Sequence, residues 1–334
     1  MTFGATILDA DGLRLSANEK AFFRDADPFG FILFARNIES ADQVRALCGD
    51  FREAVGRDCV ITIDQEGGRV QRLLAPLARN WLPPLEHVER AGAGAERAMY
   101  LRYRLIAHEL HGLGIDSNCA PIADVACADT HAFLKNRCYG EDTQAVAAIG
   151  RAVAQGHLDG GVLPVLKHIP GHGRATADSH LDLPHVASAP ETLEQSDFAA
   201  FKALNDLPLG MTAHLVYDAY DSRPATTSPV MMQLIREQIG FDGLIMTDDI
   251  SMKALEGALT DITRDSLTAG CDVVLLCNAP LADRIAVAEA AGGMTAAAQT
   301  RADRALAARK PPADLDIQAA EDELAALMGG QVYG

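Results

Sequence analysis

Polar residues close a series of apolar runs along this chain: Asp64 after VITI, Asp124 after APIA, Lys167 and His168 after PVL, His214 after MTA, and Asp248 with Asp249 after LIMT. Three segments concentrate the possible chemistry. IDQEGGRVQR, from Ile63 to Arg72, ends a run with a carboxylate and follows it with two glycines and two arginines. Taken alone it is either a loop that grips a polar ligand or a tight turn with solvated charges. Within it, Asp64 and Arg72 are the acceptor and the donor that could reach hydroxyl or amide oxygens. VLKHIPGHGRATADSHLDLPH holds His168, His172, His180 and His185 together with Lys167 and Asp178. Metal binding is the first alternative there, but the histidines lack the i,i+4 spacing of a helical zinc motif and no thiol cluster completes a set. Asp178 and His180 suit a carboxylate that holds an imidazole in one tautomer and tunes its basicity. That prepares a general acid, since the ordinary histidine pKa of about 6.5 lies near neutral pH. Gly171 and Gly173 are read as joints that carry the pair toward and away from a pocket. GLIMTDDISMKAL puts two adjacent acids just before a helix start. One of them could point inward as a nucleophile while the other caps the helix or accepts hydrogen bonds; the alternative is that both are caps.

Positioning these groups requires elements that end at one place. Eight runs are apolar at nearly every position: ATILDA near residue 5, FGFILF at 29, CVITID at 59, IDSNCAPIADV at 115, VLPVLKH at 162, LGMTAHL at 209, LIMTDD at 244 and DVVLLC at 272. Such runs suit parallel strands covered on both faces. Between them, Ser16 with Glu19, Ser40 with Gln43 and Ser188 with Glu191 have capping-box spacing, and Ser228 precedes Pro229 at a first helical turn. Gly56, Gly114, Gly161, Gly240 and Gly270 each stand just before an apolar run, where a helix can close in a left-handed conformation. The fold class expected is α/β, a single-domain (β/α)8 barrel over residues 1–334, with Ala-rich helices from about residue 280 packed on the barrel wall. No GxGxxG follows the first run, which argues against an open dinucleotide-binding sheet. In a barrel the polar run ends would surround one mouth.

The 334 residues and 49% hydrophobic content are ample for a buried core. A net charge of -17 opposes nucleic acid or an anionic membrane surface as partner. The opening MTFGATILDADG lacks a basic region with a long apolar run, and no membrane-length apolar stretch occurs, so a soluble cytoplasmic protein is expected. The seven cysteines are irregularly spaced and mostly flanked by apolar residues, which predicts buried reduced thiols.

Together, LFARN, IDQEGGRVQRL, APIADV, LKHIPGHG followed by DSH, MTAHLVY and MTDDISM resemble glycoside hydrolase family 3, in its compact β-N-acetylhexosaminidase branch, whose bacterial members act in peptidoglycan recycling. The resemblance runs from the first strand to about residue 280. It implies that Asp248 is a nucleophile forming a covalent glycosyl-enzyme intermediate, with Asp249 as support, and that His180, paired with Asp178, protonates the leaving oxygen and then activates water. It further implies that Asp64, Arg72, Arg137 within NRCYG, Lys167 and His168 bind the sugar. Larger members carry a second domain that supplies a glutamate acid, and nothing after the expected barrel here could hold one. The implied partner is a small-molecule sugar, N-acetylglucosamine linked β-1,4 to anhydro-N-acetylmuramic acid, free or as a muropeptide. The implied enzyme is a monomer that requires no metal or organic cofactor. Thr247 stands for a common Ser, Ile169 for a common Phe, and NRCYG differs from the usual sequence around its Arg. A β-glucoside preference, transfer to phosphate, or a barrel that only binds muropeptides are the competing readings.

Overall fold

The computed structural model describes residues 2–176 and 183–334. All eight apolar runs contribute strands: β1 (Gly4–Leu8), β2 (Pro28–Leu33), β3 (Val60–Ile63), β4 (Ser117–Asn118), β5 (Leu163–Ile169), β6 (Leu209–Thr212), β7 (Leu244–Asp249) and β8 (Val273–Leu275). Their hydrogen-bonded order is β3-β2-β1-β8-β7-β6-β5-β4, every pairing parallel, with registers such as Thr6↔Val274 and Gly30↔Val60. The remaining seam, between β3 and β4, is bridged when the Asp116 N–H donates to the Ile61 carbonyl (3.1 Å) and the Cys119 N–H to that of Ile63 (2.9 Å). An eight-stranded, nearly closed parallel barrel results.

Strand side chains alternate between two apolar layers, as the pleat demands. Ala5, Ile7, Leu163, Val165, Leu209, Met211, Leu244 and Met246 fill the barrel, while Leu8, Phe31, Leu33, Ile61, Ile63, Leu166 and Ile245 pack outward against the helices. Burial on both faces is why the runs read as unbroken. The fourth run pairs over only two residues, because Pro121 has no N–H to continue a ladder; contact resumes as a single bridge, Ile122↔Lys167.

Helices follow the strands in turn: α1 (Ala17–Ala26), α2 (Ala41–Val55), α3 (Ala95–Gly112), α4 (Thr143–Asp159), α5 (Asp197–Lys202), α6 (Pro229–Leu234), α7 (Leu259–Ala269) and α8 (Leu281–Ala291). Ser16 and Glu19 form the expected reciprocal capping box, Ser40 accepts from the Gln43 N–H, and Ser228 accepts from the Met231 N–H. Ser188 does not cap: the short helix there starts at Pro190 after Ala189, since Pro190 sets the first-turn geometry without a donor to satisfy. The five strand-preceding glycines all take positive φ; Gly56, at φ 67, closes α2 by donating to Glu53 and Arg52 carbonyls.

One of the two last helices differs from the wall packing expected of them. In α9 (Ala296–Ala307), Ala298, Ala302 and Ala305 join Met294 against Leu163, Leu209, Leu244 and Val273, the first residues of β5 to β8, so this helix plugs the base of the barrel. Only α10 (Ile317–Leu327) lies on the wall, against α3. Six of the seven cysteines are buried, all seven are free, and burial pushes the Cys48, Cys59 and Cys119 thiols up to about 12. Among the described residues no helix is long and apolar enough to cross a membrane.

Candidate active site

Opposite the plug, at the carboxyl ends of the strands, lies a cavity of about 480 Å³. Asp64 enters it directly after β3, Lys167 and His168 from β5, Asp248 and Asp249 from the end of β7, and Arg137 from just beyond the short helix Ala132–Lys135. IDQEGGRVQR takes the turn its sequence allowed, but Asp64 and Glu66 are paired with cations rather than solvated. It folds into a tight hairpin, Gln65–Gly67 against Val70–Gln71, and it presents Asp64 and Arg72 to the cavity. The hairpin is pinned from within, because the Gln65 Oε1 accepts from the Arg72 and Leu73 N–H groups, both at 3.0 Å.

A charge cluster forms the floor. Lys167 Nζ stands 3.0 Å from Asp64 Oδ1 and 2.6 Å from Glu66 Oε1. Arg137 grips the fully buried Glu66 with two parallel bonds, Nε to Oε2 at 2.9 Å and Nη2 to Oε1 at 2.8 Å, and Arg72 Nη2 reaches Asp64 Oδ2 at 2.9 Å. Burial alone would push these carboxyls up, but Lys167 and Arg72 hold Asp64 well below the usual range, and Arg137 and Lys167 do the same for Glu66. Reciprocally, despite the cost of burial, Asp64 and Glu66 keep Lys167 above its ordinary value. The His168 Nδ1 sits 2.7 Å from Asp124 Oδ2, and since a carboxylate only accepts, that nitrogen carries the proton. Asp124 also accepts from the His172 N–H at 2.7 Å.

Asp248 is different. It is half-buried, and its Oδ1 accepts from the Asp249 N–H at 2.8 Å. Among the described residues no Lys, Arg or His forms an ion pair with it. Burial would raise its carboxyl, yet His214 and His168 in their protonated forms, the Asp249 N–H and Lys167 hold it below the usual range, so it is ionised at neutral pH. Asp249 accepts from the Ser251 N–H (3.0 Å), the Ser251 hydroxyl (2.8 Å) and the Cys277 N–H (3.1 Å), and burial lifts its pKa to about 6.

Six expected site residues therefore line one cavity: Asp64, Arg72, Arg137, Lys167, His168 and Asp248. The expected acid pair, Asp178 and His180, falls outside the described residues. His185 is elsewhere, exposed and 2.8 Å from Asp218. At Gly173 a Cβ would lie 1.8 Å from the Val125 carbonyl oxygen, so the close approach of two backbones is itself a reason for glycine there. Among the described residues no three His, Cys, Asp or Glu side chains converge as a metal site.

Residues 7–306 match the N-terminal domain of glycosyl hydrolase family 3. The chain belongs to this family. A relative, the beta-hexosaminidase of Vibrio cholerae serotype O1, is 38% identical over 281 residues, 82% of this chain and 83% of its own length. NagZ from Neisseria gonorrhoeae, solved in complex with N-trifluoroacetyl-D-glucosamine, superimposes with a TM-score of 0.85 at 31% identity, covering 98% of both chains. The same gonococcal protein solved in complex with zinc ion gives 0.83 at 28% identity, covering 99% of this chain and 97% of that one. This family 3 member is thus a glycoside hydrolase of the β-N-acetylhexosaminidase type. Its sequence nonetheless concealed two participants. Glu66 stands inside IDQEGG, but its significance depends on Arg137, 71 residues away. Asp124 was visible as a run-ending acid, while its bond to His168 appears only in the fold.

Proposed function

We propose that this family 3 hydrolase is a retaining exo-β-N-acetylglucosaminidase acting on terminal N-acetylglucosamine linked β-1,4 to anhydro-N-acetylmuramic acid, free or carrying peptide, in cytoplasmic cell-wall recycling. The observation that carries this reading is the state of Asp248. Among the described cavity carboxylates it has an oxygen that no donor occupies, whereas Asp64 lies between two cations and Asp249 accepts from three donors. An ionised, half-free carboxylate at the cavity is what a nucleophile requires.

In the first step an Asp248 oxygen bonds to the sugar C1 while the glycosidic C1–O bond breaks and the leaving oxygen takes a proton from His180, with Asp178 orienting the imidazole. In the second, His180 removes a proton from water, the water oxygen bonds to C1, and the bond to Asp248 breaks. Two inversions give retention. Asp64, Arg72, Arg137, Lys167 and His168 hold the non-reducing sugar; the rigid Lys167–Asp64–Glu66–Arg137 cluster supports a fixed pattern of donors and acceptors for hydroxyl and amide oxygens. The reading is of one domain acting as a monomer, with neither metal nor organic cofactor entering either step.

The test is the initial hydrolysis rate of an aryl β-N-acetylglucosaminide beside the matching β-glucoside, in phosphate-free buffer with EDTA. Turnover of the first alone is expected. Activity that needs added zinc would overturn the metal-free reading, a sugar phosphate formed on adding phosphate would replace hydrolysis by phosphorolysis, and no turnover in any condition would leave a binding protein. Release of N-acetylglucosamine from the anhydromuramyl disaccharide then tests the natural substrate.

A further inference from the structure

Behind the cavity, His214 follows β6; it is buried and is not among the described residues that line the cavity, unlike Lys167 and His168. Its two ring nitrogens are both engaged. Nε2 lies 3.0 Å from the Asp249 carbonyl oxygen, and Nδ1 lies 2.7 Å from the Thr226 hydroxyl. A carbonyl only accepts, so Nε2 carries a proton. Thr226 Oγ1 is in turn 2.8 Å from the Thr212 hydroxyl and 3.1 Å from the Ala213 carbonyl. The Thr226 hydroxyl has a single proton and two acceptors in reach, His214 Nδ1 at 2.7 Å and the Ala213 carbonyl at 3.1 Å; with Nε2 protonated and the ring neutral, the nearer Nδ1 takes it, Thr212 donates to Thr226, and His214 donates to Asp249. The groups facing the ring are the Asp248 carboxylate and Asp249 backbone from β7 and the His168 imidazole from β5; burial outweighs the pull of Asp248 and keeps the ring below its ordinary pKa, hence neutral at pH 7.

Asp249 is the residue on which Asp248 depends. Its N–H holds Asp248 Oδ1, its carboxylate is fixed by Ser251 and Cys277, and its carbonyl is fixed by His214. We propose that His214 is a positioning residue for the nucleophile: a neutral imidazole in the Nε2–H tautomer, it clamps the Asp249 backbone that presents the Asp248 carboxylate to the sugar. The proposal rests on the reading of Asp248 as nucleophile. Loss of the clamp leaves the sugar contacts intact while the attacking oxygen wanders, so kcat suffers and KM does not.

His214→Asn is too short to reach Asp249, whereas His214→Gln keeps an N–H within reach, and Thr226→Val removes the hydroxyl that sets the tautomer. With an aryl β-N-acetylglucosaminide, His214→Asn should lower kcat on the order of 10- to 100-fold with KM within about 3-fold, His214→Gln should recover much of that loss, and Thr226→Val should lower kcat less. Nitrogen-15 histidine NMR, with the His214 signal assigned by its loss in His214→Gln, should show a neutral Nε2–H ring at pH 7. An imidazolium at that pH, equal losses in the Asn and Gln variants, or a kcat unchanged in His214→Asn would each overturn the proposal. If thermal unfolding shows that His214→Asn does not fold, Thr226→Val decides, and an unchanged kcat there is the overturning result. Asp248→Ala separates the two readings: an inactive Asp248→Ala beside an unimpaired His214→Asn rejects the clamp alone, and an active Asp248→Ala rejects the nucleophile together with the clamp.

Discussion

The cavity carboxylates divide the labour according to what surrounds them. Asp64 at the cavity and Glu66 buried behind it are paired with cations, while Asp248 has one oxygen that no donor among the described residues occupies. Asp248→Ala should therefore fold with an unchanged thermal midpoint and lose nearly all turnover of an aryl β-N-acetylglucosaminide; substantial residual activity would mean a different nucleophile. Glu66→Gln should behave in the opposite way. It removes the charge that compensates Arg137 and Lys167 in a buried place, so a stability loss of about 3–5 kcal/mol is expected from denaturant unfolding, accompanied by a raised KM. The strand-end rule found Asp64, Lys167, His168 and Asp248 in the sequence, because polar groups ending apolar runs stand out against them. Arg137 emerged only through the family resemblance, and Glu66 not at all, since a buried ion pair between segments far apart in sequence leaves no local signal.

At the scale of elements, the eight strands were legible because each is buried on both faces, and the boundaries failed where a proline intervened. Pro121 shortened β4 and Pro190 displaced the helix start expected at Ser188. Gly173 shows a subtler limit. A glycine in a loop invites a reading of mobility, whereas here a side chain has no room beside the Val125 backbone. Gly173→Ala should therefore damage the enzyme through displacement of two backbones, lowering the unfolding midpoint by several degrees and kcat with it. If the alanine variant matches the parent in both, the close approach is not needed and the hinge reading returns.

For the whole molecule, buried neutral histidines tie stability to pH. Burial lowers His172 to about 4, His157 to about 3 and His87 to about 2, with His168 adding to the effect on His172 and Arg102 to that on His87. The unfolded chain takes these protons near pH 6.5 and the folded one refuses them until far lower. Their contribution is thus complete above about pH 6.5 and is lost as pH falls through the folded values, with a slope of about 1.4 kcal/mol per pH unit for each proton the unfolded chain holds in excess. Thermal unfolding followed from pH 7 to 4.5 should show a steadily falling midpoint; a flat profile would mean that these rings are charged in the fold. The helix that plugs the barrel's base has a consequence for how the protein is made. Residues 296–307 follow all eight strands in the chain, yet they complete the apolar interior beneath four of them. During synthesis every strand leaves the ribosome before its plug, so the inner core stays open at its base, and the final closing of the barrel waits for residues 296–307 to emerge.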